Sequence, residues 1–425
     1  MNVLLHPLGS HGDVHPFIGI GRALKDRGHR VTLITSAPFR DLADRNGFDF
    51  APVGTDADYH AFTHNPDLWR PWRSFRVIFD RDRFPRFLRQ AYRHIAERYV
   101  PGDTVLVGGS LGLAARIAHE ALGVPCVTAH LQPMVLLSIA DPPDSAVMTP
   151  PRWWPHWLRR LARWAGERLV LDGLTARPVN ALRRELGLPP VTRVWRVWRE
   201  SPQLMLGLFP DWFASAPDWP PQLRTVGFVR YDQGETKELP AAVREFLDAG
   251  PPPVVVTFGS AMRQGRPYFE AAAGACRSLG VRGLLLGQGS DQIPRELPPG
   301  VVHADYAPFS LVFPRAAAVV HHGGIGTTAQ ALTAGVPQLV MPLAFDQPDN
   351  ARRLERLGVA RSLAPKRFTG PRVAALLGEL TTSAAVAAAC KAAAAKLAAA
   401  DPLDEVCRLV EGLNGSDRAA GETPS

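Results

Sequence analysis

The sequence predicts an α/β protein of two doubly wound parallel-sheet domains that face each other across a cleft. Three observations carry that expectation. The chain has 425 residues, too many for one compact core and enough for two domains of roughly 200 residues. Apolar strand patterns alternate with helical ones along nearly its whole length, as in sheets wound on both faces. The alternation breaks once, at 230–252 (YDQGETKELPAAVREFLDAGPPP), where polar residues, glycine and proline read as a linker with one short helix. The expected division is a domain at 1–229, a linker at 230–252, a second domain at 253–413 and a flexible tail at 414–425.

The first domain begins with a strand at 3–5 and a glycine-bearing loop, GSHGD, at 9–13. Phe17, Ile18, Ile20, Ala23 and Leu24 then recur at helical spacing as far as Gly28. A second strand follows at 31–34. Strand, helix and strand within about 30 residues make a parallel pair with a right-handed crossover, the Rossmann-like unit. Further strands are expected at 104–107, 125–128 and 203–208, with a helix at 111–122. The pattern restarts with VVVTF at 254–258, ending in Gly259 and Ser260, and gives strands at 283–286, 317–321, 338–341 and 359–362. Residues 383–400 are alanine-rich with Lys391 and Lys396, a solvated helix former and not a membrane span.

Composition excludes several classes. Hydrophobic residues make up 46% and charged residues 21%, which is globular and not disordered. No run reaches the ~18 apolar residues of a bilayer span. The start, MNVLLHPLGS, has no basic n-region and is not read as a secretory signal. Cys126, Cys276, Cys390 and Cys407 lie far apart without a CxxC pair. That argues against a zinc site or disulfide framework and for a reducing, cytoplasmic setting. The net charge is +8, but only five of the 48 basic residues are lysine. No RNP, KH or zinc-finger pattern accompanies them, so nucleic acid is not an expected partner.

The sharpest chemical segment is His321, His322, Gly323, Gly324, Ile325, Gly326, Thr327 and Thr328. It follows a strand and opens a helix expected at 329–334. Glycines let the backbone approach a ligand, and N–H groups at a helix start face an anion with the macrodipole behind them. The threonine hydroxyls add donors, and an imidazole can reach a phosphate oxygen. This reads as a diphosphate cradle without a P-loop lysine, since GxxxxGK[ST] is absent. A turn used only for helix–sheet packing would need the glycines but not the histidines and threonines. Downstream, GVPQLVMP at 335–342 leads to Phe345, Asp346, Gln347 and Asn350. These polar groups at the same sheet edge suit sugar hydroxyls, although Asp346 could equally cap a helix at 348–357.

The series HHGGIGTT, GVPQLVMP and DQ, with GSHGDVHPF near the start, resembles the family 1 nucleotide-sugar glycosyltransferases of GT-B fold, in both their antibiotic and sterol branches. Over roughly residues 1–412 the chain also resembles the rhamnosyltransferase B subunits of rhamnolipid synthesis, through stretches such as SPQLMLGLFPDWF and DQPDNARRLERLGV. The resemblance implies transfer of a hexosyl group, rhamnosyl or glucosyl in type, from a UDP- or dTDP-sugar. It implies single displacement with inversion, no metal, and no cofactor beyond the nucleotide-sugar co-substrate. By position, His321 would contact the diphosphate, with Gly323, Gly324, Gly326, Thr327 and Thr328 beside it. Ser260 would reach the phosphates, Tyr306 would stack on the base, and Asp346 and Gln347 would hold the sugar. Two departures stand out. Ala329 and Gln330 occupy the place where many relatives carry a ribose-binding Glu, and the rhamnosyltransferase cradle is plainer, with Pro for the second His and no Thr pair.

Such a reaction needs a proton acceptor near the attacking hydroxyl and charge stabilisation for the leaving diphosphate. His11, Asp13 and His15 share one loop. The resemblance makes Asp13 the base. An ordinary aspartate, pKa ~3.9, is a weak base for an alcohol, and a helix start lowers it further. On chemistry alone His11 is therefore the alternative, and a plain cap on the helix beginning near Val14 would look the same.

On the acceptor side, Tyr59, Phe62, Trp69, Trp72, Phe75, Phe79, Phe84, Phe87 and Tyr92 interleave with arginines. Trp153, Trp154, Trp157 and Trp164 repeat the theme among Arg152, Arg159, Arg160, Arg163 and Arg168. The pattern suits an apolar hydroxylated acceptor, or peripheral contact with the anionic inner face of a membrane. An aromatic-rich helical core with solvated arginines would leave the same trace. A Rossmann oxidoreductase would want GxGxxG after the first strand, where this chain has GSHGDVH. Two alternatives remain: a GT-B sugar-nucleotide epimerase or hydrolase, told apart by its products with and without an apolar alcohol, and a non-catalytic GT-B homologue that activates or partners another glycosyltransferase. The second would be expected to have lost Asp13, His321 or Asp346 and Gln347, and all are present.

Overall fold

The computed structural model describes residues 1–70, 72–144, 153–232, 238–259, 262, 265–289 and 291–421. The chain forms two compact units, Met1–Val229 with Asp401–Ser425, and Arg230–Ala400.

The first unit holds seven strands: β1 (Asn2–His6), β2 (Arg30–Ser36), β3 (Asp49–Val53), β4 (Thr104–Gly109), β5 (Cys126–His130), β6 (Leu204–Gly207) and β7 (Leu223–Thr225). They lie in the order β3-β2-β1-β4-β5-β6-β7, every pair parallel. Helices cover both faces of such a sheet, so β1, β5 and β6 are buried end to end. That is why they read as continuous apolar runs. The helix His11–Asp26 buries Phe17, Ile18, Ile20 and Leu24, four of the five residues whose spacing predicts it, and Val14 with them. Because the chain turns outward from β1 in both directions, the carboxyl ends of β1 and β4 form a topological switch point, where doubly wound sheets bind ligands.

The second unit holds β8 (Val254–Thr257), β9 (Gly283–Leu286), β10 (Val301–Ala304), β11 (Ala318–His321), β12 (Gln338–Val340) and β13 (Ala360–Ser362). Their order is β10-β9-β8-β11-β12-β13, again all parallel. The switch point lies between β8 and β11, where Thr257 stands opposite His321. The short helix expected in the linker is Ala241–Asp248. Its Val243 and Leu247 pack with Val255 and Leu284, so it belongs to the second core.

The boundary expected at 413 needs correction. The helix Pro402–Gly421 runs past it and falls with the first unit. It buries Val406, Cys407 and Val410, and its Asp404 and Glu411 pair with Arg27 and His29 at the end of the first helix. An amphipathic pattern says that a helix has a core face, not which core it covers. Residues 422–425 lie outside the described residues.

The two aromatic and basic segments differ. In the first, the helix Arg83–Arg98 buries Leu88, Ala91 and Ile95, and Phe84, Phe87 and Tyr92 pack against the same core. In the second, the helix His156–Ala165 leaves Trp157, Leu161 and Trp164 exposed, as are Trp153 before it and Leu169 after it. Among the described residues no single helix is long and apolar enough to cross a membrane.

Candidate active site

Both turns at the second switch point are built of glycine. β8 runs into Phe258 and Gly259, with φ +83°, and β11 into His322 and Gly323, with φ +92°. A Cβ on Gly259 would lie 2.8 Å from His322 Cε1, and one on Gly324 2.6 Å from its Nε2. The His322 ring is therefore wedged between the two turns, and only glycine leaves it room. Gly324 is the N-cap of the helix Ile325–Ala334 and offers no side-chain cap. The first N–H groups of that helix, on Ile325, Gly326 and Thr327, have no intrahelical partner. Gly326 is exposed, with nothing within 4 Å of where its Cβ would stand. Backbone donors beside open space, backed by the macrodipole, make an anion-binding end. Thr327 is nearly buried and Thr328 fully so, so the second hydroxyl points into the core.

The two histidines do different things. His321 is fully buried. Its Nε2–H donates to Gln338 Oε1 at 2.9 Å, and its Nδ1 accepts the Gly323 N–H at 3.1 Å. Burial, with His322 beside it, pushes its pKa down to about 3, so the ring is neutral. Both nitrogens of the ring that the resemblance aims at the diphosphate are thus engaged in shaping the glycine turn. His322 is the ring beside the helix start. Burial brings its pKa to about 4, and its Nδ1 has no partner among the described residues. The signal that separates the pair is strand alternation: His321 closes β11, and His322 is the first residue beyond it.

Asp346 and Gln347 come to the same edge through a strained turn, in which Phe345 adopts φ +56°, a conformation that costs roughly 1–3 kcal/mol for a bulky residue. Gln347 Oε1 accepts the N–H groups of Leu343 at 2.7 Å and Ala344 at 3.0 Å, closing that turn. Asp346 stands at the N-cap of the helix Gln347–Arg356, yet its side chain does not cap it. Instead Oδ2 accepts from Asn350 Nδ2 at 2.7 Å, and the same Nδ2 donates to the Gly323 carbonyl at 2.9 Å. Asn350 ties the Asp–Gln segment to the glycine turn, a job that its i+4 spacing from Asp346 permits and that sequence reasoning did not assign. Tyr306 follows β10, two strands from β8, and is 36% exposed. Ser260 lies outside the described residues.

In the first unit, Asp13 lies in the opening turn of the helix after β1. Its Oδ2 accepts the Ser10 N–H at 2.8 Å and the Ser10 hydroxyl at 3.1 Å. The capping role is therefore present. A Cβ on Gly9 would meet that oxygen at 2.3 Å, so glycine there is what lets the carboxylate fold over the loop. Burial raises the Asp13 pKa against the lowering pull of the Ser10 bonds. The shift is in the direction a general base needs. The His11 ring is edge-on to Phe39 at 5.0 Å and to His15 at 5.5 Å, and partial burial lowers its pKa. Tyr59 packs on Phe39 at 5.7 Å. Burial and the Asp13 charge push its pKa up to about 12. The structure thus gathers His11, Asp13 and His15 at one strand end and adds Phe39 and Tyr59. Among the described residues no group of three or more His, Cys, Asp or Glu is arranged to hold a metal ion.

Comparison with known proteins gives this arrangement its family. Residues 3–140 match the glycosyltransferase family 28 N-terminal domain, and residues 284–413 match the erythromycin biosynthesis protein CIII-like C-terminal domain. The chain is 30% identical to the O-mycaminosyltylonolide 6-deoxyallosyltransferase of Streptomyces fradiae, over 97% of each chain. It is 29% identical to the sterol 3-beta-glucosyltransferase UGT80A2 of Arabidopsis thaliana, over 86% of this chain and 58% of that one. Among solved structures, the glycosyltransferase of kitacinnamycin superposes with a TM-score of 0.75 at 22% identity, covering 97% of this chain and 98% of its own. The glycosyltransferase VinC, solved in complex with dTDP, gives 0.69 at 20% identity, covering 98% and 100%. Two Rossmann-like sheets, a glycine cradle at the second switch point and these matches together make the chain a member of the GT-B glycosyltransferases, with a family 28 N-terminal domain and an erythromycin-CIII-like C-terminal domain.

Proposed function

We propose that the chain transfers a hexosyl group, rhamnosyl or glucosyl in type, from a dTDP- or UDP-linked donor to a hydroxyl of an apolar acceptor, with inversion and without a metal ion. The observation that carries this reading is the set of N–H groups at Ile325, Gly326 and Thr327 beside the wedged His322 ring. They would receive the diphosphate and stabilise its charge as the bond to the anomeric carbon breaks. The Asp346 carboxylate and the Gln347 amide nitrogen would hold sugar hydroxyls, and the Tyr306 ring the base. Asp13 would take the acceptor proton as the acceptor oxygen attacks opposite the departing diphosphate. The relatives named for deoxyhexose and sterol glucose transfer support the donor and acceptor classes, and VinC with dTDP supports a thymidine nucleotide. Phe39 and Tyr59 beside Asp13, and the exposed tryptophans of the helix His156–Ala165, support an apolar acceptor delivered near a membrane surface.

The test pairs binding with turnover. Titration with dTDP should raise a thermal transition by mass action, and transfer from dTDP-glucose should survive EDTA. Asp13→Asn should lower kcat by about 10²–10⁴-fold with dTDP affinity changed by only a few-fold. Loss of transfer in EDTA would sink the metal-free mechanism. An active Asp13→Asn beside a dead His11→Ala would move the base to His11.

A further inference from the structure

The first sheet carries a second constellation beside the Asp13 turn. β4 ends in Gly108 and Gly109, and Ser110, Leu111 and Gly112 lead into the helix Leu113–Leu122. Ser110 Oγ lies 2.9 Å from Nδ1 of His130, the last residue of β5. His130 Nε2 lies 2.7 Å from Glu200 Oε2. Glu200 Oε1 accepts from Arg199 Nε at 2.9 Å, and the same guanidinium donates to the Val135 carbonyl at 2.7 Å and the Ser110 carbonyl at 3.5 Å. His130 is fully buried, and Glu200 and Arg199 nearly so.

Glu200 sets the direction of the hydrogen bonds it receives. Burial alone would raise the Glu200 pKa, but His130 and Arg199 outweigh it and hold it at about 2. Glu200 is therefore ionised and can only accept. With the Nε2 hydrogen donated to Glu200, the ring tautomer that keeps its lone pair on Nδ1 accepts the Ser110 O–H. Ser110 Oγ is left with lone pairs alone. The spelling G-x-S-x-G with histidine and glutamate partners is also that of a hydrolase nucleophile. The strained turn that thrusts such a serine outward is missing, because the non-glycine residues with positive φ are Trp72, Arg193 and Phe345.

Ser110 is half-buried and close to the turn that carries Asp13. β1 and β4 are neighbours, with His6 opposite Gly108, and adjacent strands lie about 4.8 Å apart. A Cβ on Gly109 would touch Pro7 Cα at 3.5 Å, and one on Gly112 the His6 carbonyl at 2.9 Å. We infer that Ser110 is a specificity-determining residue: locked by His130 as a hydrogen-bond acceptor, it receives a second hydroxyl of the sugar acceptor and so selects which hydroxyl is presented to Asp13. The inference rests on the glycosyl-transfer reading and narrows the acceptor from an apolar alcohol to an apolar diol. A hydroxyl can donate to Ser110, whereas an ether oxygen offers only another lone pair and is repelled.

Catechol, phenol and guaiacol are matched probes, and ligand-observed NMR on the full chain with dTDP present reads their affinities. The unmodified chain should prefer catechol to phenol by about tenfold, the weight of one hydrogen bond, with guaiacol weakest. Ser110→Ala removes one oxygen from a half-buried position and should bring the three within about twofold. His130→Ala frees the serine proton to donate and should strengthen guaiacol binding, which a merely structural histidine would not do. Equal affinities, no binding of any probe, or a preference that survives in Ser110→Ala would overturn the inference. Binding of dTDP in the same samples keeps the two readings apart: its presence without a catechol preference removes only the role of Ser110, and its absence removes the transferase reading itself.

Discussion

Replacing His321 by alanine would strip Gln338 of a donor and the Gly323 N–H of its acceptor, both deep in the second core. Unpartnered buried polar groups cost about 1–3 kcal/mol each. His321→Ala should therefore lower stability by roughly 2–4 kcal/mol in urea unfolding. His322→Ala removes a ring that wedges two turns and has no partner at Nδ1 among the described residues. It should change stability less and weaken dTDP binding about tenfold or more in calorimetric titration. The reverse pattern, with a stable His321→Ala that fails to bind dTDP, would return the diphosphate contact to His321. The need for glycine at 323 and 324 was legible in the sequence, because a histidine pair followed by GGxG announces a close backbone approach. Which histidine faces the helix start was not. That depends on where β11 ends, and a shift of one residue exchanges inside for outside. Ser110, His130 and Glu200 were illegible for another reason. They come from three separate segments, and only the parallel order β4-β5-β6 brings the first two to one edge.

At the scale of elements, the central strands were legible and most of the edges were not. β3, β7 and β10 each end a sheet, with one face or one flank in partial contact with water. Their sequences, DFAPV, LRT and VVHA, therefore lack the apolar continuity of β1 or β8. The second aromatic segment shows the opposite failing, a legible pattern with two meanings. Trp157, Leu161 and Trp164 recur at helical spacing, as core residues would, yet all three are exposed. A π-turn at Gly166–Leu171 adds one residue per turn and carries the stripe on to Leu169, while Glu167 and Leu171 face inward. Tryptophan and leucine flanked by arginine suit the boundary of an anionic bilayer. Flotation with phosphatidylglycerol vesicles at low salt should carry the chain upward. Trp157→Ser with Trp164→Ser should leave it at the bottom of the gradient with its urea midpoint unchanged. If the unmodified chain does not float, the membrane contact is lost. A raised acceptor KM in the same double variant would then assign the stripe to the acceptor.

At the scale of the molecule, the two units should respond to acid differently. His321 and His322 are held neutral by burial, with pKa values near 3 and 4 against 6.5 in the unfolded chain. His6, the last residue of β1, is lowered likewise to about 4. As pH falls below about 6.5, the unfolded chain binds protons that these folded rings refuse. Their contribution is thus complete above 6.5 and drains away toward the folded values, by about 1.4 kcal/mol per pH unit per histidine. Among the described residues the second unit carries two rings lowered to about 4 or below and the first one, with His11 lowered beside it by partial burial. In the first, Asp13 also works the other way, because a raised carboxyl pKa favours the folded state as acid is added. Two domains of this size unfold as separate transitions unless their interface is large. Scanning calorimetry from pH 7.5 to 5 should therefore show the dTDP-sensitive transition falling more steeply than the other, the nucleotide marking the second unit by mass action. His322→Asn should reduce that slope toward the value for one ring. Parallel shifts of both transitions, or a flat dTDP-sensitive one, would mean that the cradle histidines are already protonated in the folded chain. The phosphate would then meet an imidazolium in place of a neutral ring.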